Sequence, residues 1–218
     1  MILDFLLPAP CVVCGRLPKP LCENCEARAQ VSISKIGSIK VFSAGLLEGD
    51  LEQIVRSYKD KHRMALEKSL REFLTVSIEA AKQVDHFDAF ALPPRNPSNY
   101  RERGFSPVER LAKNPALSSL KRVRISASRR LIDQRGLSFQ QRKANLNFAF
   151  SAQPGRGNIL LVDDVMTTGA TLQELARCLR SAGYGVSTGC VVANRSASDL
   201  RPAKGLEFGG FWSQKLLS

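Results

Sequence analysis

One unit constrains this chain more than any other. After Asn158, the residues Ile159-Leu-Leu-Val162 form a short, fully apolar run. A polar turn follows, Asp163-Asp-Val-Met-Thr-Thr-Gly169, and then Leu172, Leu175, Ala176 and Leu179 fall on one helical stripe. Gly183 closes that helix, and Tyr184 to Ala193 reads as the next strand. A strand, a helix and a strand joined this tightly predict a right-handed crossover between parallel strands. A chain built around such a unit is an α/β protein with a parallel sheet flanked by helices.

The rest of the chain fits that frame. Lys40 to Leu47 predicts a short strand, Leu51, Ile54, Val55 and Tyr58 a helix, and Leu66 to about Lys82 a second helix after the charged break Lys59-Asp-Lys-His-Arg63. Phe87 to Leu92 predicts a buried strand that Pro93-Pro94 ends. A polar, arginine-rich loop is expected next, then a short helix over Val108 to Lys113 and another starting at Ser138. With 218 residues, 44% hydrophobic and 24% charged, the chain has the length and composition of one globular α/β domain with a small appendage. We divide it into an N-terminal knuckle (1–30), the α/β domain (31–195) and a tail (196–218) without clear periodicity. No apolar run is long enough for a membrane span. The apolar start before Cys11 lacks a basic residue and is interrupted by Asp4, so it does not read as an export signal, and a cytoplasmic protein is expected.

The first thirty residues hold Cys11-x-x-Cys14 and Cys22-x-x-Cys25. Two such pairs can close a tetrahedron around one structural zinc, and Gly15 suits the turn after the first pair. Metal would supply folding energy to a segment with few apolar residues. Redox or disulfide use is the alternative, weaker inside a cell. Cys178 and Cys190 lie in regular elements and read as packing residues.

The polar turn carries the chemistry. It sits at the carboxyl end of a strand, where open α/β sheets bind ligands. Thr167, Thr168, Gly169, Ala170 and Thr171 surround the start of a helix, whose N–H groups and dipole favour a phosphate. Asp163 and Asp164 would repel that phosphate unless they hold something else, and a sugar diol or Mg2+ removes the conflict. A phosphate grip beside a diol grip has the shape of a ribose 5-phosphate. The plainer reading is a helix cap, but capping needs one such residue rather than five. No G-x-x-x-x-G-K-[ST] loop occurs.

The net charge of +12 is concentrated: between Arg95 and Lys143 there are 13 basic and 3 acidic residues, a net of +10. Such a segment attracts phosphates of a small ligand or of a nucleic acid, or is a solvated basic surface. Aromatic residues make up 7% of the chain, and within the segment only Tyr100, Phe105 and Phe139 offer rings for stacking on bases.

Val162 to Thr171 resembles the phosphoribosyl-pyrophosphate signature of type I phosphoribosyltransferases. Cys11 to Cys25 resembles the N-terminal zinc knuckle of the ComF family, the competence-associated group that includes GntX-like proteins. Leu92-Pro-Pro-Arg95 with Arg101-Glu-Arg-Gly-Phe105, and Gln134-Arg-Gly-Leu-Ser138 with Arg142 and Asn145, are similar to further stretches of that family, in its order. Ser106-Pro107 stands where the family carries Asn-Gln. The resemblance implies a type I phosphoribosyltransferase-like fold, phosphoribosyl pyrophosphate or another ribose 5-phosphate as ligand, and Mg2+ beside zinc as metal. It implies catalytic roles for Asp163 and Asp164 at the diol and Mg2+, and binding of the phosphoribose by these and by Met166, Thr167, Thr168, Gly169, Ala170 and Thr171. Arg95, Arg101 and Arg103 become candidates for the diphosphate, and Arg142 for a lid. It further implies a role in DNA uptake during natural transformation, with single-stranded DNA and a helicase-like ATPase as partners, the latter placing it at the inner face of the membrane. Phosphoribosyl transfer to an undefined acceptor is the expected activity. The alternative is a non-enzymatic module that binds single-stranded DNA or a partner and uses the fold as scaffold or sensor.

Overall fold

The computed structural model describes residues 9–26, 31–128 and 148–195, and the backbone of 201–202. In chain order the elements are α1 (Glu23–Glu26), β1 (Ser32–Ile36), β2 (Ile39–Ser43), α2 (Gly49–Lys59), α3 (Glu67–Lys82), β3 (Ala89–Ala91), α4 (Pro97–Arg103), α5 (Pro107–Leu111), β4 (Lys121–Val123), β5 (Ile125–Ala127), β6 (Phe150–Ala152), β7 (Asn158–Val162), β8 (Val165–Met166), α6 (Ala170–Ser181), β9 (Gly185–Val191), β10 (Ala193–Asn194) and β11 (Arg201–Pro202). Single 3-10 turns cover Met64–Leu66 and Pro115–Leu117.

Seven strands form the main sheet in the order β11-β1-β2-β9-β7-β3-β4. From β2 to β4 every pairing is parallel, and at one edge β1 alone runs against the others, pairing antiparallel with both β2 and β11. The expected parallel sheet and the β7–α6–β9 unit are therefore present. Side chains alternate across the sheet as strand geometry requires. Leu160, Val162, Phe42, Phe90 and Cys190 join the core under α2 and α3, while Ile159, Leu161, Val41, Ala89 and Val191 join the core under α6. The two inner layers are continuous apolar packing on both faces, which is why the central strands read as unbroken hydrophobic runs.

The sequence does not predict β4, β5 or β6, and the structure differs from its reading in three further places. β1 precedes the region expected to be regular. Its one fully buried side chain is Ser34, which accepts a hydrogen bond from Asn194 Nδ2 at 3.1 Å, so a polar pair replaces the apolar pattern that would mark a strand. The arginine-rich segment is not a loop but holds α4. The Asn96 side chain caps it by accepting from Ser98 N at 2.9 Å, Pro97 occupies its first turn, and Gly104 ends it at φ 74°. α4 buries no residue, so it has no stripe for periodicity to find. Last, Val165 and Met166 are not turn residues but form β8, paired in parallel with β10. Ser138 lies outside the described residues.

Candidate functional site

A cleft of about 260 Å³ opens beyond the carboxyl ends of β3 and β7. Asp163, Asp164, Thr167 and Thr171 line one wall; Arg95, Asn99, Tyr100 and Arg103 line the other. Lys59, at the end of α2, and Phe150, at the start of β6, close the sides.

The acidic wall is tied to the sheet. Asp163 N donates to Cys190 O at 3.1 Å, Val192 N donates to Asp164 O at 3.0 Å, and Asp164 N donates to Asp163 Oδ1 at 2.8 Å. Burial and the adjacent Asp164 push the Asp163 carboxyl up to about 8, although Lys59 acts the other way. A site that makes it this hard for two carboxylates to ionise together accepts extra positive charge readily. Lys59 Nζ already supplies some, 2.9 Å from Asp164 Oδ2.

At the entrance to α6, Gly169 takes φ 74° and a Cβ there would lie 2.5 Å from Ile36 Cδ1. Only glycine meets both demands. Thr168 Oγ1 accepts from Ala170 N at 3.4 Å. The Met166 side chain points the other way: it is 3% exposed and packs in the core under α6. Thr168, Gly169 and Ala170 shape the turn without lining the cleft by side chain, whereas Thr167 and Thr171 do line it.

The arginines divide similarly. Arg95 and Arg103 line the same cleft as the acidic pair, while Arg101 lies on the exposed surface of α4 with its Nε 3.4 Å from Pro97 O. Arg95 bonds Glu109 Oε2 at 2.6 Å and stacks over the Tyr100 ring at 4.2 Å. Arg103 meets Asp60 Oδ1 at 3.4 Å. Phe105 anchors the far end of the arm, its ring 5.3 Å from that of buried Tyr58. Arg142 lies outside the described residues. Sequence reasoning missed Lys59, Asn99 and the lining role of Tyr100. Lys59 stood in a charged break with nothing nearby in sequence to mark it out, and α4 was read as a loop.

The four knuckle cysteines converge. All four Sγ atoms of Cys11, Cys14, Cys22 and Cys25 lie within 4.8 Å of one another, a set that can hold a metal ion such as zinc. Burial opposes ionisation of Cys11, but backbone N–H groups of the knuckle turns bring its thiol down to about 6. Burial and the neighbouring sulfurs push Cys25 up to about 12. Four thiolates this close need a cation between them. The knuckle also shares the main core: Cys11, Leu21 and Cys25 are buried with α2 and α3, and Gln53 Nε2 donates to Val12 O. Cys178 and Cys190 are buried packing residues, as expected.

Among the described residues no helix is long and apolar enough to cross a membrane. No protein-family model matches the chain. In sequence it is similar to competence protein F of Haemophilus influenzae, 26% identical over 188 residues that cover 75% of this chain and 80% of that protein. A shorter likeness joins it to an adenine phosphoribosyltransferase of Bdellovibrio bacteriovorus, 49% identical over 41 residues, 19% of this chain and 25% of that enzyme. Among solved structures it is similar to adenine phosphoribosyltransferase from Saccharomyces cerevisiae, at 13% identity and a TM-score of 0.38, covering 79% of this chain and 89% of the other. It is also similar to orotate phosphoribosyltransferase from Aeropyrum pernix, at 19% identity and a TM-score of 0.31, covering 68% and 67%. The expected resemblance to the competence-associated group is thus met by a relative that spans three quarters of the chain.

Proposed function

We propose that this chain binds phosphoribosyl pyrophosphate with Mg2+ and acts as a phosphoribosyltransferase of ComF type. One observation carries the reading: a carboxylate pair beside a threonine-lined helix entrance shares a single cleft with two arginines. That arrangement offers a partner for each part of the ligand. Thr167, Thr171 and the N-terminus of α6 would hold the 5-phosphate. Asp163 and Asp164 would hold the ribose diol and Mg2+, and the raised Asp163 fits such a cation. Arg95 and Arg103 would release Glu109 and Asp60 to grip the diphosphate, which suits the planar guanidinium fork. Arg101 and Arg142 belong to the same proposed set of diphosphate ligands. Bound Mg2+ would neutralise charge on the leaving diphosphate.

Transfer then needs little covalent help. The bond from the anomeric carbon to the pyrophosphate oxygen breaks with its electron pair going to pyrophosphate, and an acceptor nucleophile forms the new bond through an oxocarbenium-like transition state. The protein positions the ribose and stabilises the leaving charge. The likeness to competence protein F supports a role in competence; DNA uptake during transformation, in the cytoplasm and with a helicase-like ATPase as partner, is part of the same proposal. We read the knuckle (1–30) as a zinc site that folds with the α/β domain (31–195), and one zinc per chain by elemental analysis would bear this out.

The second reading, a DNA- or partner-binding module, is favoured by one feature. Lys121, Arg122 and Arg124 lie exposed on or beside the edge strand β4, outside the cleft. Calorimetric titration of phosphoribosyl pyrophosphate with Mg2+ separates the two. Binding by the wild type that is lost in Asp163→Asn/Asp164→Asn supports the first, and absence of wild-type binding sinks it.

A further inference from the structure

Three cations reach the cleft, and each has a carboxylate partner. Arg95 pairs with Glu109 and Arg103 with Asp60, and neither of those carboxylates lines the cleft. Lys59 is different. Its partner is Asp164, a member of the acidic pair itself, at 2.9 Å. Both side chains are largely enclosed, with 20% and 16% of their surfaces exposed, so solvent screens the contact less than it does a surface pair.

The position of Lys59 is fixed from behind. It is the last residue of α2, where the helix dipole favours a cation. The residue before it, Tyr58, is 1% exposed and packs on Phe105. The residue after it, Asp60, holds Arg103. On the other side, backbone bonds to β9 and to Val192 hold the main chain of Asp163 and Asp164. The ammonium thus sits on the Asp164 oxygen that a metal ion would compete for, in the same cleft as Arg95 and Arg103.

We propose that Lys59 is the specificity-determining residue of the cleft: it denies the acidic pair to a lone divalent cation and admits the cation together with an anionic ligand. This rests on the phosphoribosyl-pyrophosphate reading of the site. A metal ion arriving alone must displace Lys59 and leave the ammonium without a counter-charge in an enclosed place. A metal ion arriving with a diphosphate gives the ammonium a new partner at the moment it loses Asp164. Lys59 therefore makes the two ligands bind cooperatively, as a coupling between sites requires.

The experiment uses the full chain and Mn2+ as the metal probe. Mn2+ binding without any anion is read by electron paramagnetic resonance in the wild type, Lys59→Met, Lys59→Arg and Lys59→Met/Asp164→Asn. Metal at the cysteines is kept constant and checked by elemental analysis, and thermal melts confirm that each variant is folded. Lys59→Met binds Mn2+ about tenfold more tightly than the wild type, as expected when one competing charge is removed. Lys59→Arg stays close to the wild type, and the double variant loses the gain. In parallel, calorimetry at fixed Mg2+ finds phosphoribosyl pyrophosphate bound about tenfold more weakly by Lys59→Met. Unchanged Mn2+ affinity in Lys59→Met overturns the proposal, as does unchanged affinity for phosphoribosyl pyrophosphate. If no variant binds phosphoribosyl pyrophosphate but inorganic pyrophosphate tightens Mn2+ binding in the wild type and not in Lys59→Met, the role of Lys59 stands and the ligand assignment falls.

Discussion

The acidic wall of the cleft, Asp163 to Thr171, runs between a strand buried from Ile159 to Val162 and a helix that buries seven residues, whereas Arg95, Arg101 and Arg103 lie on or beside a helix that buries none. The first wall is fixed by packing: Met166 is in the core, Gly169 touches Ile36, and the backbone of the aspartates is bonded to β9. The second is held by caps and ion pairs, through Asn96, Glu109 and Asp60. Ion pairs with exposed members contribute little to stability, so the two walls should respond differently to the same kind of insult. Damage to the acidic wall should be felt by the whole fold, and damage to the arginine wall only by the ligand.

Gly169→Val tests the stiff wall at its tightest point and has the largest expected effect. The added side chain meets Ile36 and must also hold a positive φ, for a combined loss of about 2–4 kcal/mol in chemical denaturation. Adding Ile36→Ala should restore part of this, because it relieves the crowding and leaves the backbone strain. A variant as stable as the wild type would show that the turn relaxes and that the wall is not fixed by packing.

The next effect is smaller and has the opposite sign. Burial and Asp164 raise the Asp163 carboxyl from 3.8 to about 8 in the folded protein. A raised acid binds its proton more tightly folded than unfolded, so the fold is favoured below pH 4 and loses stability as pH rises toward 8. Asp163→Asn removes that loss. In metal-free buffer the variant should match the wild type near pH 4 and exceed it by about 1–3 kcal/mol near pH 9. A stability difference that does not change with pH would mean that Asp163 ionises freely. The expected gain at high pH, by contrast, marks the acidic wall as a place where binding capacity is kept at the expense of stability, as packed functional sites often show.

How far each wall was legible in the sequence follows from the same contrast. β7, the turn and α6 were readable residue by residue because packing writes an apolar pattern into the chain. Both strand and helix carried it, and the small polar residues between them stood out. The cysteine pairs were readable because a tetrahedral site needs paired ligands at short spacing. β1 was not, since its buried Ser34 is satisfied by Asn194, 160 residues away. α4 was not, because a helix that buries nothing leaves only punctuation, here Asn96-Pro97 and Gly104. Asp164 stood out in the sequence and Lys59 did not, because their meeting is a property of the tertiary fold rather than of either segment. Among the site residues, Met166 reads as part of the turn in sequence but belongs to β8, and its inward side chain follows from the β8–β10 pairing and the core under α6.

Asn96→Ala sharpens the comparison from the arginine wall and should have the smallest effect on stability. The Asn96 side chain accepts from Ser98 N at 2.9 Å and Asn99 N at 3.5 Å, and a lost cap of this kind costs about 1 kcal/mol of helix stability. α4 buries nothing, so that cost falls on its own opening rather than on global unfolding. The melting temperature should therefore barely move. Arg95 and Arg103 flank or belong to α4, so the fraction of molecules with both arginines in place falls, and affinity for phosphoribosyl pyrophosphate falls with that fraction, by severalfold. Hydrogen exchange should quicken at Tyr100 and Gly104, whose amides bond Asn96 O and Tyr100 O, and not in α6. A drop in melting temperature as large as that of Gly169→Val would show that α4 is part of the cooperative core and that the two walls are built alike.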